Sequence, residues 1–146
     1  MINGVIEKVN LHKHRLKLAL EEIKSWENLD SDIFENFEKI KTVDTFIYRF
    51  IKVQDIMGEK LFKTFLNEIG EYKDNMSLLD ILDKLEKFEI VEDAYEWMEY
   101  RKLRNQLTHE YPNNENDVID GIKIAIESFD KIEIILNKIL DYMKRR

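Results

Sequence analysis

The chain has 146 residues, 23 Lys and Arg against 30 Asp and Glu, and a formal net charge of −7, enough length for one core and a charge that excludes non-specific coating of nucleic acid. Four glycines, one proline and no cysteine leave few turns, no disulfide and no thiolate metal site, in keeping with a helical protein of a reducing compartment. No stretch is apolar enough for a signal peptide or a membrane span, and nothing resembles an interdomain linker, so a single cytoplasmic domain over residues 1–146, with no membrane partner, is expected.

The first helix should run from about Ile2 to Trp26, with Val5, Val9, Leu16, Leu20 and Ile23 on one stripe. Asn28 to Ser31 ends it, and Asp30 or Ser31 can cap a second helical region. That region is long and carries Phe34, Phe37, Ile40, Phe46, Phe50, Val53, Met57, Leu61, Phe65 and Ile69, with a bend expected near Lys41 to Val43 or at Gly58. Glu71 to Met76 reads as a polar connector. Ser77 and Asp80 have the spacing of a capping box for a short helix through Leu82, Leu85 and Phe88. After a break near Glu89 to Glu92, a further helix with Ala94, Trp97, Met98, Leu103 and Leu107 should end at Pro112. The last helix should start within Asn113 to Asp117 and reach about Met143, burying Ile122, Ile126, Phe129, Ile132, Ile135, Leu136 and Ile139. No segment alternates in the strand period. The expected fold is all-α, an antiparallel up-and-down bundle of four long helices and a short one.

Chemistry concentrates in Arg101 to Pro112. Arg104 can fix a phosphate through a planar fork of donors, His109 can move a proton near neutral pH, and Tyr111 offers a hydroxyl two residues on. Five residues turn an ideal helix by about 500°, so positions 104 and 109 stand roughly 140° apart and about 7.5 Å along the axis. One straight helix does not aim both at one phosphate. Either the helix breaks before His109, or a second copy of the segment sits opposite in a symmetric dimer. Pro112 biases Tyr111 toward an extended conformation. Bland roles exist for each: Arg104 paired with Glu99 or Glu110, His109 as a cation at a helix C-terminus, Tyr111 as a packing residue.

Only a local basic patch could hold RNA on so acidic a chain. His12, Lys13, His14, Arg15 and Lys17 form one candidate, Arg101, Lys102 and Arg104 a second, and Lys144 to Arg146 a third, although charge runs are usually solvated faces. His12 and His14, two apart, face different sides of a helix and make a poor metal site. Neither a glycine-rich phosphate loop nor metal-ligand spacing is present.

Arg104-Asn-Gln-Leu-Thr-His109 resembles the Arg-x4-6-His signature of the HEPN superfamily, with polar Asn105 directly after the arginine. With Glu110 and Tyr111 the segment becomes Arg-x4-His-x-Tyr, similar to the HepT-type toxins of HEPN/MNT toxin-antitoxin pairs, and the run from Glu89 into Arg104 resembles theirs as well. The resemblance covers about Leu85 to Pro112 and is architectural elsewhere. It implies an all-α homodimer that cleaves tRNA or another RNA without metal or cofactor. In that picture Arg104 holds the scissile phosphate, Asn105 helps to position it, His109 transfers protons, and Arg101 and Lys102 add RNA contacts. It further implies that an MNT nucleotidyltransferase antitoxin neutralises the toxin by AMPylation of Tyr111. A different implied role is a non-catalytic HEPN subunit that binds nucleotide or substrate for a partner nucleotidyltransferase, which the net charge of −7 suits.

Overall fold

The structure is a computed structural model that describes residues 1–109 and 115–146, the side chain of His109 excepted. Most of the described residues lie in the α-helices α1 (Ile2–Ser25), α2 (Phe37–Ile56), α3 (Phe62–Glu68), α4 (Leu78–Lys87), α5 (Ala94–His109) and α6 (Glu115–Arg145). A 3-10 turn, Ser31–Glu35, precedes α2, and a π-helical turn, Met57–Leu61, joins α2 to α3 without interrupting the rod. Among the described residues there is no strand, and no helix is long and apolar enough to cross a membrane.

Local side chains set these boundaries. Asp30 accepts from the Asp32 amide at 3.0 Å and caps the 3-10 turn, which buries Ile33. Asn36 then accepts from the Lys39 amide at 3.2 Å and starts α2, so the break in the Phe-rich region falls at Asn36 rather than at Lys41 to Val43. That cap resets the helical phase, and it leaves Phe37, expected in the apolar stripe, 69% exposed with the Lys41 ammonium over its ring.

At Met57–Leu61 the Phe62 amide bonds back to the Met57 carbonyl, five residues away, so one extra residue enters the turn. It rotates everything downstream by about 100°, and Met57, Leu61, Phe62, Phe65 and Leu66 all stay buried across the shift. Gly70, at φ +76°, closes α3 in a left-handed conformation while the Glu71 amide reaches the Leu66 carbonyl at 2.8 Å. Ser77 and Asp80 form the expected capping box, at 3.1 Å and 3.0 Å. Asp93 accepts from the Tyr95 amide at 2.9 Å and Glu86 from the Ala94 amide at 3.1 Å, which seats the start of α5 on the end of α4.

Side chains from every helix join one apolar cluster. Trp97 of α5 is fully buried in it, edge-on to Phe62 and Tyr100 with ring centroids 4.7 and 6.0 Å away. Helix α6 approaches α5 closely at Gly121, where a Cβ would come within 3.0 Å of Leu107.

Candidate functional site at the crossing of the second and fifth helices

Arg104 projects from α5 against α2. Its Nε donates to Asp55 Oδ1 at 3.0 Å and its Nη2 to Asp55 Oδ2 at 2.9 Å, a two-bond fork that fixes the guanidinium plane. Its Nη1 donates to Asn105 Oδ1 at 3.2 Å. Five N–H groups minus these three leave one on each terminal nitrogen for an anion. Hydrogen bonding to Asp55 raises the Arg104 pKa above its ordinary value, partial burial opposes that, and the charges of Asp55 and Glu59 add to the rise. The guanidinium is therefore a fixed cation, with part of its field already spent on Asp55.

The pairing with Asp55 takes the place of the expected surface pair with Glu99; Glu110 lies outside the described residues. An arginine on the exposed side of α5 would have rested on its own helix, whereas Arg104 is half-buried and reaches across to α2. Directly beneath, buried Gln54 donates from Nε2 to the Tyr100 carbonyl at 2.9 Å and holds α5 to α2 one turn before Arg104. Loss of such a buried amide costs about 1–3 kcal/mol.

These residues surround a cleft of about 320 Å³ lined by Gln54, Asp55, Gly58, Glu59, Leu78, Trp97, Arg101, Arg104 and Asn105. Gly58, within the π-helical turn, lies over the indole of Trp97, and a Cβ there would sit 3.3 Å from Trp97 Nε1. That indole nitrogen is buried and has no hydrogen-bond partner among the described residues. A π-helical turn and an orphaned donor at one cleft are features that concentrate at functional sites.

Of the residues singled out from sequence, Arg101, Arg104 and Asn105 come together at this cleft, and Lys102, exposed, lies outside its lining. Helix α5 runs unbroken through His109, so of the two alternatives the break before His109 is absent, and positions 104 and 109 share one helix. Roughly 140° and 7.5 Å therefore separate them around and along the axis of a single protomer. Tyr111 and Pro112 lie outside the described residues. Asp55, Gln54, Gly58 and Glu59 were not legible as site residues, because nothing local marks one acid on the polar face of a Phe-rich helix as the partner of an arginine 49 positions on.

The basic run of α1 divides. Lys13 and Lys17 pair with Glu133 of α6, the Lys13 distance being 3.9 Å, whereas His12 and Arg15 face α2. At the C-terminus Arg146 reaches Glu68 at 3.7 Å. Among the described residues no three His, Cys, Asp or Glu side chains gather as metal ligands.

No family model, curated protein or solved structure matches the chain.

Proposed function

We propose that the chain is a metal-independent endoribonuclease toxin, similar to the HepT-type HEPN proteins, acting on tRNA or another RNA in the cytoplasm. The observation that carries the reading is the Arg104 guanidinium, clamped by Asp55 and Asn105 with one N–H left on each terminal nitrogen, on a helix that continues to His109. RNA carries its own nucleophile. A site need only orient the 2′-OH, accept charge on the phosphate and move two protons. In this reading the 2′-oxygen attacks phosphorus, the P–O5′ bond breaks, and the products are a 2′,3′-cyclic phosphate and a 5′-OH. Arg104 binds the non-bridging oxygens, Asn105 orients Arg104, and His109 serves in proton transfer. Arg101 on the cleft wall and Lys102 beside it supply further cationic contacts.

The finer fold assignment belongs to the same proposal: an antiparallel, up-and-down HEPN-like bundle that pairs as a homodimer. The dimer places His109 of one protomer opposite Arg104 of the other, because the unbroken helix does not bring both to one phosphate. The nucleotidyltransferase antitoxin would silence the site by adding AMP to Tyr111. A second reading, a non-catalytic HEPN subunit that binds nucleotide for a partner nucleotidyltransferase, draws on the net charge of −7 and on the small size of the Arg104 cleft.

The deciding experiment incubates the purified chain with total tRNA in EDTA, beside Arg104→Ala and His109→Ala. Cleavage by the wild type with cyclic-phosphate ends, lost in both variants, supports the ribonuclease. Nucleotide binding without cleavage supports the second reading, and cleavage that survives both substitutions overturns the assignment of the site.

A further inference from the structure

Seven residues before Asp55, on the solvent side of α2, Tyr48 is about half exposed and ringed by cations. The Arg49 guanidinium lies 5.0 Å from the centre of its ring and the Lys52 ammonium 5.5 Å. His12 of α1 meets the same ring edge-on at 6.4 Å, and the Arg49 Nη1 donates to His12 Nδ1 at 2.8 Å, which requires the neutral imidazole with its proton on Nε2. Arg15 completes the group one turn further along α1. Burial and the charges of Arg49, Lys52 and Arg15 together lower the His12 pKa, an independent sign that positive charge is concentrated here. Among the described residues no salt bridge engages Arg15, Arg49 or Lys52. Asp44, one turn before Tyr48, is the acidic residue on this stretch of α2 and has interactions of its own.

Such an arrangement is unfavourable in isolation: three cations gather against each other in a chain of net charge −7. An anion reverses the sign. The half-exposed ring can stack on a planar base once the cations over it turn to the backbone phosphates, a contact that an acidic peptide would not use. Position matters too, since Lys52 stands one turn of α2 before Asp55 and Tyr48 two turns before it, about 4.5 and 10.5 Å along the axis. The patch thus continues the line of the Arg104 cleft along the same helix.

We propose that Arg15, Tyr48, Arg49 and Lys52, with His12 beneath them, form a docking track for the single-stranded RNA that flanks the scissile phosphate. Arg49 and Lys52 neutralise backbone phosphates, and Tyr48 stacks one base. The track rests on the ribonuclease reading for its substrate but not for its test, which measures binding.

The experiment uses full-length chain carrying His109→Ala, to prevent turnover, and a fluorescent single-stranded RNA oligonucleotide titrated at several salt concentrations. Arg49→Gln combined with Lys52→Gln should flatten the plot of log K against log salt by about 1.4, two phosphates at about 0.7 each. Tyr48→Ala should weaken binding about tenfold and leave the slope unchanged. Unchanged RNA affinity and slope in the double variant overturn the track, as does polyglutamate binding the patch as tightly as RNA does. Track-dependent RNA binding without any cleavage by the His109-intact protein would sink the ribonuclease and leave the track standing. Cleavage of the oligonucleotide by the His109-intact protein that the double substitution leaves unchanged would do the reverse.

Discussion

Asp55 and Arg104 meet through two parallel hydrogen bonds of 3.0 and 2.9 Å although 49 positions separate them in the chain. Each side chain is about a quarter exposed, so the pair is shielded enough to hold one geometry and open enough for a ligand to reach the outer edge of the guanidinium. Asp55 therefore acts on Arg104 in two opposed ways: it orients the fork, and it takes up part of the positive charge that a phosphate would feel. In Asp55→Ala the orientation is lost while the charge is released. RNA binding by this variant should hold or tighten, and cleavage should fall by about 10²-fold, the scale of a misplaced catalytic group. The stability change should be about 1 kcal/mol, as for other partly exposed ion pairs. Parallel loss of binding and cleavage would mean that Asp55 only keeps the fold.

Gly58 presents the opposite case, a position where something added does harm. In an ordinary helix alanine for glycine gains up to about 1 kcal/mol. Here the new methyl would sit 3.3 Å from Trp97 Nε1, and Trp97 has little room to retreat, packed on Phe62 and Tyr100. Overpacking costs about 1–3 kcal/mol, so crowding should outweigh propensity and Gly58→Ala should lower the unfolding midpoint. Its Trp fluorescence should change as well. A raised midpoint would show that the π-helical turn yields, and that the orphaned indole donor is less confined than its surroundings indicate.

His12 titrates below its ordinary value because burial and three neighbouring cations, Arg49, Lys52 and Arg15, disfavour the imidazolium. In the unfolded chain those neighbours disperse and the group takes up a proton near pH 6.5. The unfolded state thus binds more protons than the folded state between the two values. This contribution to stability is complete above about pH 6.5 and is lost as the pH falls through that value toward the lower folded one. Thermal unfolding followed from pH 8 to pH 5 should show a steeper loss of midpoint in the wild type than in His12→Gln. Equal slopes would remove His12 from the balance.

What could be read from the sequence divides by distance along the chain. The Ser77 and Asp80 capping box, the α1 stripe and the limits of α6 depend on residues a few positions apart, and their spacing carries the information. Arg104 was visible as a candidate because its neighbours Asn105 and His109 lie within one segment. Its partner was not, since pairing across 49 positions is decided by how α2 and α5 cross. The π-helical turn was half legible: Gly58 marked a weak point, but an inserted residue preserves burial on both sides and leaves no break in the apolar pattern. The basic run of α1 was legible only as a cluster, because adjacent residues on a helix face different neighbours: Lys13 and Lys17 pair with Glu133, while His12 and Arg15 lie against α2.

If the chain is neutralised as the HepT-type resemblance implies, Tyr111 is the control point. Co-expression with the cognate nucleotidyltransferase should add mass in steps of one AMP to a peptide that contains Tyr111. Each added phosphodiester brings roughly one negative charge to the segment that follows Arg104, where it competes for the same N–H groups as an RNA phosphate. Tyr111→Phe should remain toxic and resist neutralisation. Unchanged intact mass together with neutralised Tyr111→Phe would point to simple occlusion by a complex.

The unbroken run of α5 through His109 has a consequence for assembly that a mixing experiment can read. If each site takes Arg104 from one protomer and His109 from the other, a heterodimer of Arg104→Ala with His109→Ala contains one site lacking both groups and one site with both intact. Two inactive proteins, unfolded together and refolded, should then regain activity: random pairing makes about half the dimers mixed, each with one of two sites restored, or about one quarter of the wild-type rate. If each protomer supplies both residues to its own site, every site in the mixture lacks one group and no activity returns. A monomer by light scattering gives the same negative result and would also remove the two-fold arrangement on which the convergence of Arg104 and His109 depends.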